Sequence, residues 1–209
     1  MIIETFPVGL LQCNCTIVAD EETREAIVVD PGDDADTIID HLEKHDLKLK
    51  RIVCTHAHID HVGAIYDLQA KANTPASIHE KDLFLFDNLE TQAGWIGLPP
   101  PQKGEIDRFI EDGDSVSCAN VDLDVLHTPG HTPGSLTLHL GAQSPILFTG
   151  DTLFLNSIGR TDLWGGSLPD LLDSIKGRLL EFDDGTLVVP GHGPNTTIGQ
   201  ERARNPFLR

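Results

Sequence analysis

The chain has 209 residues, 39% of them hydrophobic, and a formal charge of −18 at neutral pH. That length fits one large domain or two small ones, with enough apolar material for a core. No apolar run exceeds strand size, which argues against a membrane-spanning helix, and 15 Lys and Arg against 33 Asp and Glu argue against nucleic acid as a partner, because phosphate recognition needs a basic patch. The opening "MIIETFPVGL" has no basic region followed by a long apolar stretch, so no signal peptide is expected and the cytoplasm is the expected compartment. In chain order, β-branched segments predict strands at 15–20 and 26–30. Ala35, Ile38, Ile39 and Leu42 share the spacing of one helix face, with Asp33 or Asp34 as N-cap. A strand at 52–55 precedes a second helix begun by Val62, Ile65 and Tyr66. Another strand at 76–79 leads to a third helix at 80–88, which His79 could cap. Residues 91–104, including "GLPPPQKG", carry neither period and read as a long exposed loop. Strands follow at 115–118, 121–127, 136–140, 146–150 and 187–190. A fourth helix after Ser167 has Pro169 in its first turn, and Thr197 with Gln200 reads as the capping box of a last one. With no low-complexity linker, residues 1–209 are expected to form a single α/β domain with sheets inside and helices outside.

The segment "CTHAHIDHVGA" places His56, His58, Asp60 and His61 within six positions directly after an apolar strand. In a still-extended stretch His56 and His58 project to the same side, and Asp60 and His61 then fall near the start of a helix. Imidazole and carboxylate donors suit zinc at roughly 2.0–2.2 Å, and also iron or manganese. One ion cannot easily take all four groups from so short a segment, whereas two ions roughly 3.5–4 Å apart could share them. Three further segments offer donors in similar settings. "HTPGHTPGS" places His131 in a Gly/Pro-rich loop, "ILFTGDTLF" ends a strand at Asp151, and "LVVPGHGPN" ends another at His192. Glycine beside each donor lets backbones crowd a shared site, and strand-end loops are where α/β scaffolds place chemistry. The other histidines have plainer readings: His41 and His45 on the solvent side of a helix, His139 in a strand, His127 as a hydrogen-bonding group beside the ligand loop. Cys13, Cys15, Cys54 and Cys118 form no CxxC pair and read as buried free thiols of a reducing compartment.

"THAHIDH", "PGHTPGS", "TGD" and "VPGHGP", in this order over essentially the whole chain, resemble the metallo-β-lactamase fold superfamily. The resemblance implies a four-layer αββα sandwich with a two-metal site at one edge of the paired sheets. Position by position, His56, His58 and His131 match the ligands of a first metal. Asp60, His61 and His192 match those of a second, and Asp151 matches the carboxylate bridging both. Asp30 matches a position that orients the ligand loops. The β-lactamases typically carry Arg in place of His61 and Cys in place of Asp151; the flavodiiron branch carries Glu in place of His58; RNA-processing branches sit badly with the charge of −18. "DTLFLNSIGRTDLWGG" and the C-terminal "GHGPNTTIGQERARNPFLR" resemble the short, single-domain glyoxalase II group, the hydroxyacylglutathione hydrolases.

Two departures bear on specificity. Ala57 stands where the glyoxalase II motif has a third His, at a position that alternation turns away from the metals. The basic C-terminal helical domain of larger glyoxalases has no counterpart before Arg209, and Asp162 and Pro194 replace tyrosines that neighbour glutathione in them. Arg160 falls at a basic glutathione contact, and its planar fork suits a carboxylate. The implied chemistry is thioester hydrolysis of S-lactoylglutathione by hydroxide made available at two divalent ions, zinc by default with iron or manganese as the other candidates, and Asp60 aiming the hydroxide. Neither a serine nor a cysteine nucleophile is needed. The alternatives are a mono-iron persulfide dioxygenase, which shares the "GRTD" segment, and a lactonase or phosphodiesterase on the same scaffold. The expected partner is a small, glutathione-linked thioester, with neither nucleic acid nor membrane, and the chain is expected to be a monomer or small homo-oligomer.

Overall fold

In a computed structural model of the chain, residues 1–141 and 145–209 are described. A first sheet takes its strands in sequence order: β1 (Ile2–Val8), β2 (Cys13–Ala19), β3 (Glu25–Val29), β4 (Lys48–Val53), β5 (Ala76–Ile78) and β6 (Arg108–Phe109). β1, β2 and β3 pair antiparallel, and the pairs from β3 to β6 are parallel. Each parallel step needs a crossover. Helix α1 (Ala35–Lys44) provides the first, α2 (Ile59–Val62) and α3 (Ile65–Ala72) the second, and α4 (Leu83–Phe86) with α5 (Leu89–Ile96) the third.

The second sheet contains β7 (Ser115–Cys118), β8 (Val121–His127), β9 (Leu136–Leu140) and β10 (Ile146–Gly150). A two-stranded ribbon of β11 (Leu153–Phe154) and β12 (Ser157–Ile158) follows, then α6 (Leu168–Gly177), β13 (Leu187–Pro190), β14 (Thr196–Thr197) and α7 (Ile198–Arg204). The second sheet runs β14-β13-β10-β9-β8-β7, with β10 and β13 parallel across α6.

Alternation along the strands explains the layers. Ile17 and Val28 turn toward Ile38, Leu42, Ile65 and Leu68 of α1 and α3. Their neighbours Val18, Ile27 and Val29 face Leu123, Val125, Leu138 and Phe148 of the opposite sheet. Leu147 and Val188 point the other way, onto Leu171 and Ile175 of α6 and Ile198 of α7. Three apolar clusters between four layers make the αββα sandwich. Among the described residues, no helix is long and apolar enough to cross a membrane.

Three expectations need correction. β1 is a strand that the sequence reading passed over; its outer residues alternate exposed and half-buried. The region read as an exposed loop begins with α5, whose buried positions Leu89, Gln92 and Ala93 have helical spacing that the polar Gln92 disguises. His41 and His45 turn toward β1, where both reach Glu4, at 3.1 and 3.0 Å, and His41 stacks on Phe6.

Candidate metal centre

The donors arrive from four strand ends. The segment after β4 carries His56 and His58, and Asp60 and His61 lie on α2; His131 follows β8, Asp151 follows β10 and His192 follows β13. Asp30, just past β3, anchors the first of these. Its Oδ1 accepts the Thr55 N–H at 2.6 Å and its Oδ2 accepts the Thr55 hydroxyl at 2.8 Å. The same Oδ2 lies 3.0 Å from His61 Nδ1, which leaves His61 Nε2 to face the site. Asp30 has φ 52°, a region uncommon for a non-glycine residue and maintained only where the surroundings over-determine it.

His56 Nε2, His58 Nδ1 and His131 Nε2 converge, with 3.1 Å between the first two and 2.9 Å between the last two. His131 is aimed by its other nitrogen, Nδ1, which donates to the Arg160 carbonyl at 2.8 Å. Burial lowers the basicity of all three rings, and neighbouring imidazoles add to the effect; His58 is brought down to about 3. All three are therefore neutral at physiological pH and carry lone pairs into one point, the form in which imidazole binds a metal.

The other group lies beside it. His192 Nε2 is 3.1 Å from Asp60 Oδ2. Asp151 stands between the groups: Oδ2 is 3.6 Å from His131 Nε2, while Oδ1 is 3.5 Å from His61 Nε2 and 3.8 Å from His192 Nε2. Burial works to raise the Asp151 pKa, but His61, His131 and His192 outweigh it and hold the carboxyl well below its usual range. Burial is likewise outweighed at Asp60, chiefly by the His192 hydrogen bond. Asp151 Oδ1 and His58 Nε2 are buried without a hydrogen-bond partner among the described residues. A buried polar atom left so costs about 1–3 kcal/mol. A cation between the two groups would remove the Asp151 deficit, so the residues present fit a metal. A Cβ on Gly191 would collide with Asp151 Oδ1 and lie 2.7 Å from His61 Cε1, so glycine is what allows β13 to approach this closely.

All seven expected donors thus lie at one sheet edge. Arg160 is placed beside them by its carbonyl, while its guanidinium makes a two-pronged pair with exposed Asp162, at 2.7 Å on both arms. Four supporting roles escaped the sequence reading. Cys13 Sγ lies 3.6 Å from His61 Nδ1, close enough to form a possible donor group with His61 and His192. Burial pushes its thiol up to about 12, so it stays protonated and is a packing neighbour of His61. Asn14 donates to the carbonyls of Pro190 and Gly193, clamping the His192 turn. Asp82, fully buried, joins the two histidine loops: Oδ2 accepts the Ala57 N–H at 3.0 Å and the Thr132 hydroxyl at 2.8 Å, and Oδ1 accepts the Gly134 N–H at 2.6 Å. Gln92 accepts the Ile59 N–H and donates to the Ala57 carbonyl. No periodic signal marks Asp82; a charged residue just before "LFLF" reads as a solvent-facing cap.

Comparison with known proteins agrees with this geometry. The family description "Metallo-beta-lactamase superfamily" matches residues 8–192. The hydroxyacylglutathione hydrolase GloC of Haemophilus influenzae is 41% identical over 215 residues, covering 100% of this chain and 98% of that protein. The crystal structure of the BLEG-1 B3 metallo-beta-lactamase superposes with a TM-score of 0.91 at 36% identity, covering 99% of both chains. That of TTHA1623 in a di-iron-bound form gives 0.88 at 37% identity, covering 98% of this chain and 100% of that one. With its fold, its donor set and these similarities in agreement, the chain belongs to the metallo-beta-lactamase superfamily of metal-dependent hydrolases.

Proposed function

We propose that this chain hydrolyses a thioester of the hydroxyacylglutathione class. The observation that carries the reading is Asp151, whose two oxygens divide between a His56–His58–His131 group and an Asp60–His61–His192 group. The similarity to GloC supports the choice of thioester. Two divalent ions bound by these groups would supply an activated water and polarise the acyl carbonyl. We take zinc as the default, with iron as the second candidate because the TTHA1623 relative is a di-iron form.

The chain's own residues do the rest. Asp60 is kept ionised by His192 and accepts a hydrogen bond from the attacking water, aiming it. Asp30 and the Arg160 carbonyl hold His61 and His131 in their productive tautomers. Cys13, held as a thiol, does not act as nucleophile. Arg160 reads a carboxylate of the thiol carrier. Its pair with Asp162 is solvent-exposed, and water and salt screen such a pair, so a ligand carboxylate can displace Asp162.

The test is metal content by mass spectrometry on protein purified without added metal, beside hydrolysis of S-lactoylglutathione. Close to two ions per chain with turnover is expected. One ion per chain in fully active protein would favour the mono-iron dioxygenase, and loaded protein inert on every thioester would sink the hydrolase reading. Arg160→Ala should raise KM for S-lactoylglutathione more than it lowers kcat and barely alter a small uncharged thioester. Equal losses on both substrates would make Arg160 a structural residue.

A further inference from the structure

A cavity of ≈ 340 Å³ opens beside the metal centre, with Asp60 itself in its wall. Apolar side chains supply much of the rest of the lining, beside carboxylates and polar backbone groups: Leu10 and Leu11 at the β1–β2 hairpin tip, Ile59 of α2, Ile96 closing α5, then Leu98 and Pro99. Leu10 is 74% exposed, and Leu11 and Ile96 are each 41% exposed, so apolar surface around the cavity still faces water. Asp33 and Asp67 are the other charged lining groups, and among the described residues neither Lys nor Arg lines it. Such a wall repels an anion and gains from covering by an uncharged apolar group.

Size sharpens this. The cavity is comparable to roughly ten waters at ~30 Å³ each, whereas a lactoyl group has only about five heavy atoms. Layout says which end of a thioester it faces. Arg160, assigned above to the carrier, is tied to His131, at the first group of donors. The cavity adjoins Asp60, in the second. Helix α5 reaches both, with Ile96 on the cavity and Trp95 packed edge-on against Trp164 of the Arg160 loop, ring centroids 4.3 Å apart.

We propose that this cavity holds the acyl group of the substrate, and that the preferred acyl group is uncharged, apolar and longer than lactoyl, of about five to eight carbons. The inference rests on the hydrolase reading and names its substrate class. Burying each methylene favours the longer substrate by about fourfold.

The experiment compares the metal-loaded chain on lactoyl, butanoyl and hexanoyl thioesters of glutathione, and on acetyl thioesters of ethanethiol and hexanethiol. A parallel calorimetric titration measures binding of free lactate and hexanoate, which needs no turnover. Expected is a kcat/KM about fifteenfold higher for hexanoyl than for butanoyl, two methylenes at about fourfold each, and tighter binding of hexanoate than lactate. Leu11→Glu, at an exposed hairpin tip where folding is not at stake, and Ile96→Glu should both collapse the hexanoyl-to-lactoyl ratio. A ratio that does not rise with acyl length, with lactoylglutathione still hydrolysed, overturns the inference and leaves the hydrolase intact. A gain seen only with hexanethiol overturns the acyl assignment. Preferential hexanoate binding lost in Leu11→Glu, with every thioester inert, would overturn the hydrolase reading and support the cavity as a site for apolar chains.

Discussion

The two oxygens of Asp151 face different imidazole groups, so its loss should be felt on both sides of the site. Asp151→Ala is expected to lose metal and to lower kcat on the order of a thousandfold, because generating hydroxide is the main catalytic contribution of such a centre. His139→Ala, a half-buried strand residue against Phe182, should change neither. Wild-type metal content in Asp151→Ala would remove the bridging assignment. Asp82 yields a different prediction. Burial pushes its carboxyl up to about 6 despite three hydrogen bonds to it. Between an unfolded value of about 3.9 and that folded value, the native state keeps a proton that the unfolded chain has lost, so this group's contribution to stability falls as pH rises. Subtracting Asp82→Asn isolates the effect. The stability of wild type relative to the variant should fall by on the order of 1.4 kcal/mol per pH unit between pH 4 and 6. Urea titrations of both proteins at several pH values would read it, and a pH-independent difference would mean that Asp82 is not raised.

At the scale of elements, helix starts and loop anchors carry the site. Ser167 accepts the Asp170 N–H as the N-cap of α6, and its own N–H donates to the Gly130 carbonyl at 2.8 Å. The start of α6 is thereby fastened to the loop that holds His131. Ser167→Ala should lower stability by about 1 kcal/mol, the usual cost of losing such a cap. An unchanged urea midpoint would show that the backbone bond alone secures the helix. The start of α6 after Ser167 and the cap at Thr197 were legible in sequence, because a helix start is a local device, settled within three residues. The strands of the second sheet were legible for a similar reason, since β-branched runs bounded by turns advertise themselves. β1 and α5 were not. β1 has only part of one face buried, and α5 buries a glutamine whose value lies in backbone groups of a loop about 30 residues earlier.

At the scale of the molecule, the donors come from both sheets: His56, His58, Asp60 and His61 from the first, and His131, Asp151 and His192 from the second. Bound ions would therefore cross-link the sandwich at one edge. At free metal about a thousandfold above Kd, that linkage adds about 4 kcal/mol to folding stability. For a domain of this size, chelation should then lower Tm by roughly 10 °C. Calorimetry with and without EDTA would measure it, and an unchanged Tm would mean that the sheets close fully without metal.

The sequence by itself determined the candidate donors. Ligand identity is a property of side-chain chemistry and of spacing along a strand and its following loop, and "HAHIDH" carries both in six residues. It also determined the sandwich, since these motifs in this order match one superfamily. Only the tertiary structure decided that Asp151 stands between two imidazole groups, that Asp82 joins two histidine loops 75 residues apart (Ala57 to Thr132), and that Arg160 is engaged by Asp162. The cavity beside Asp60 belongs there too, because its walls come from a hairpin tip, a short helix and a proline-rich turn. Those relations are distances between segments remote in sequence, and they come into being only when two sheets pack and bring their strand ends to a common edge.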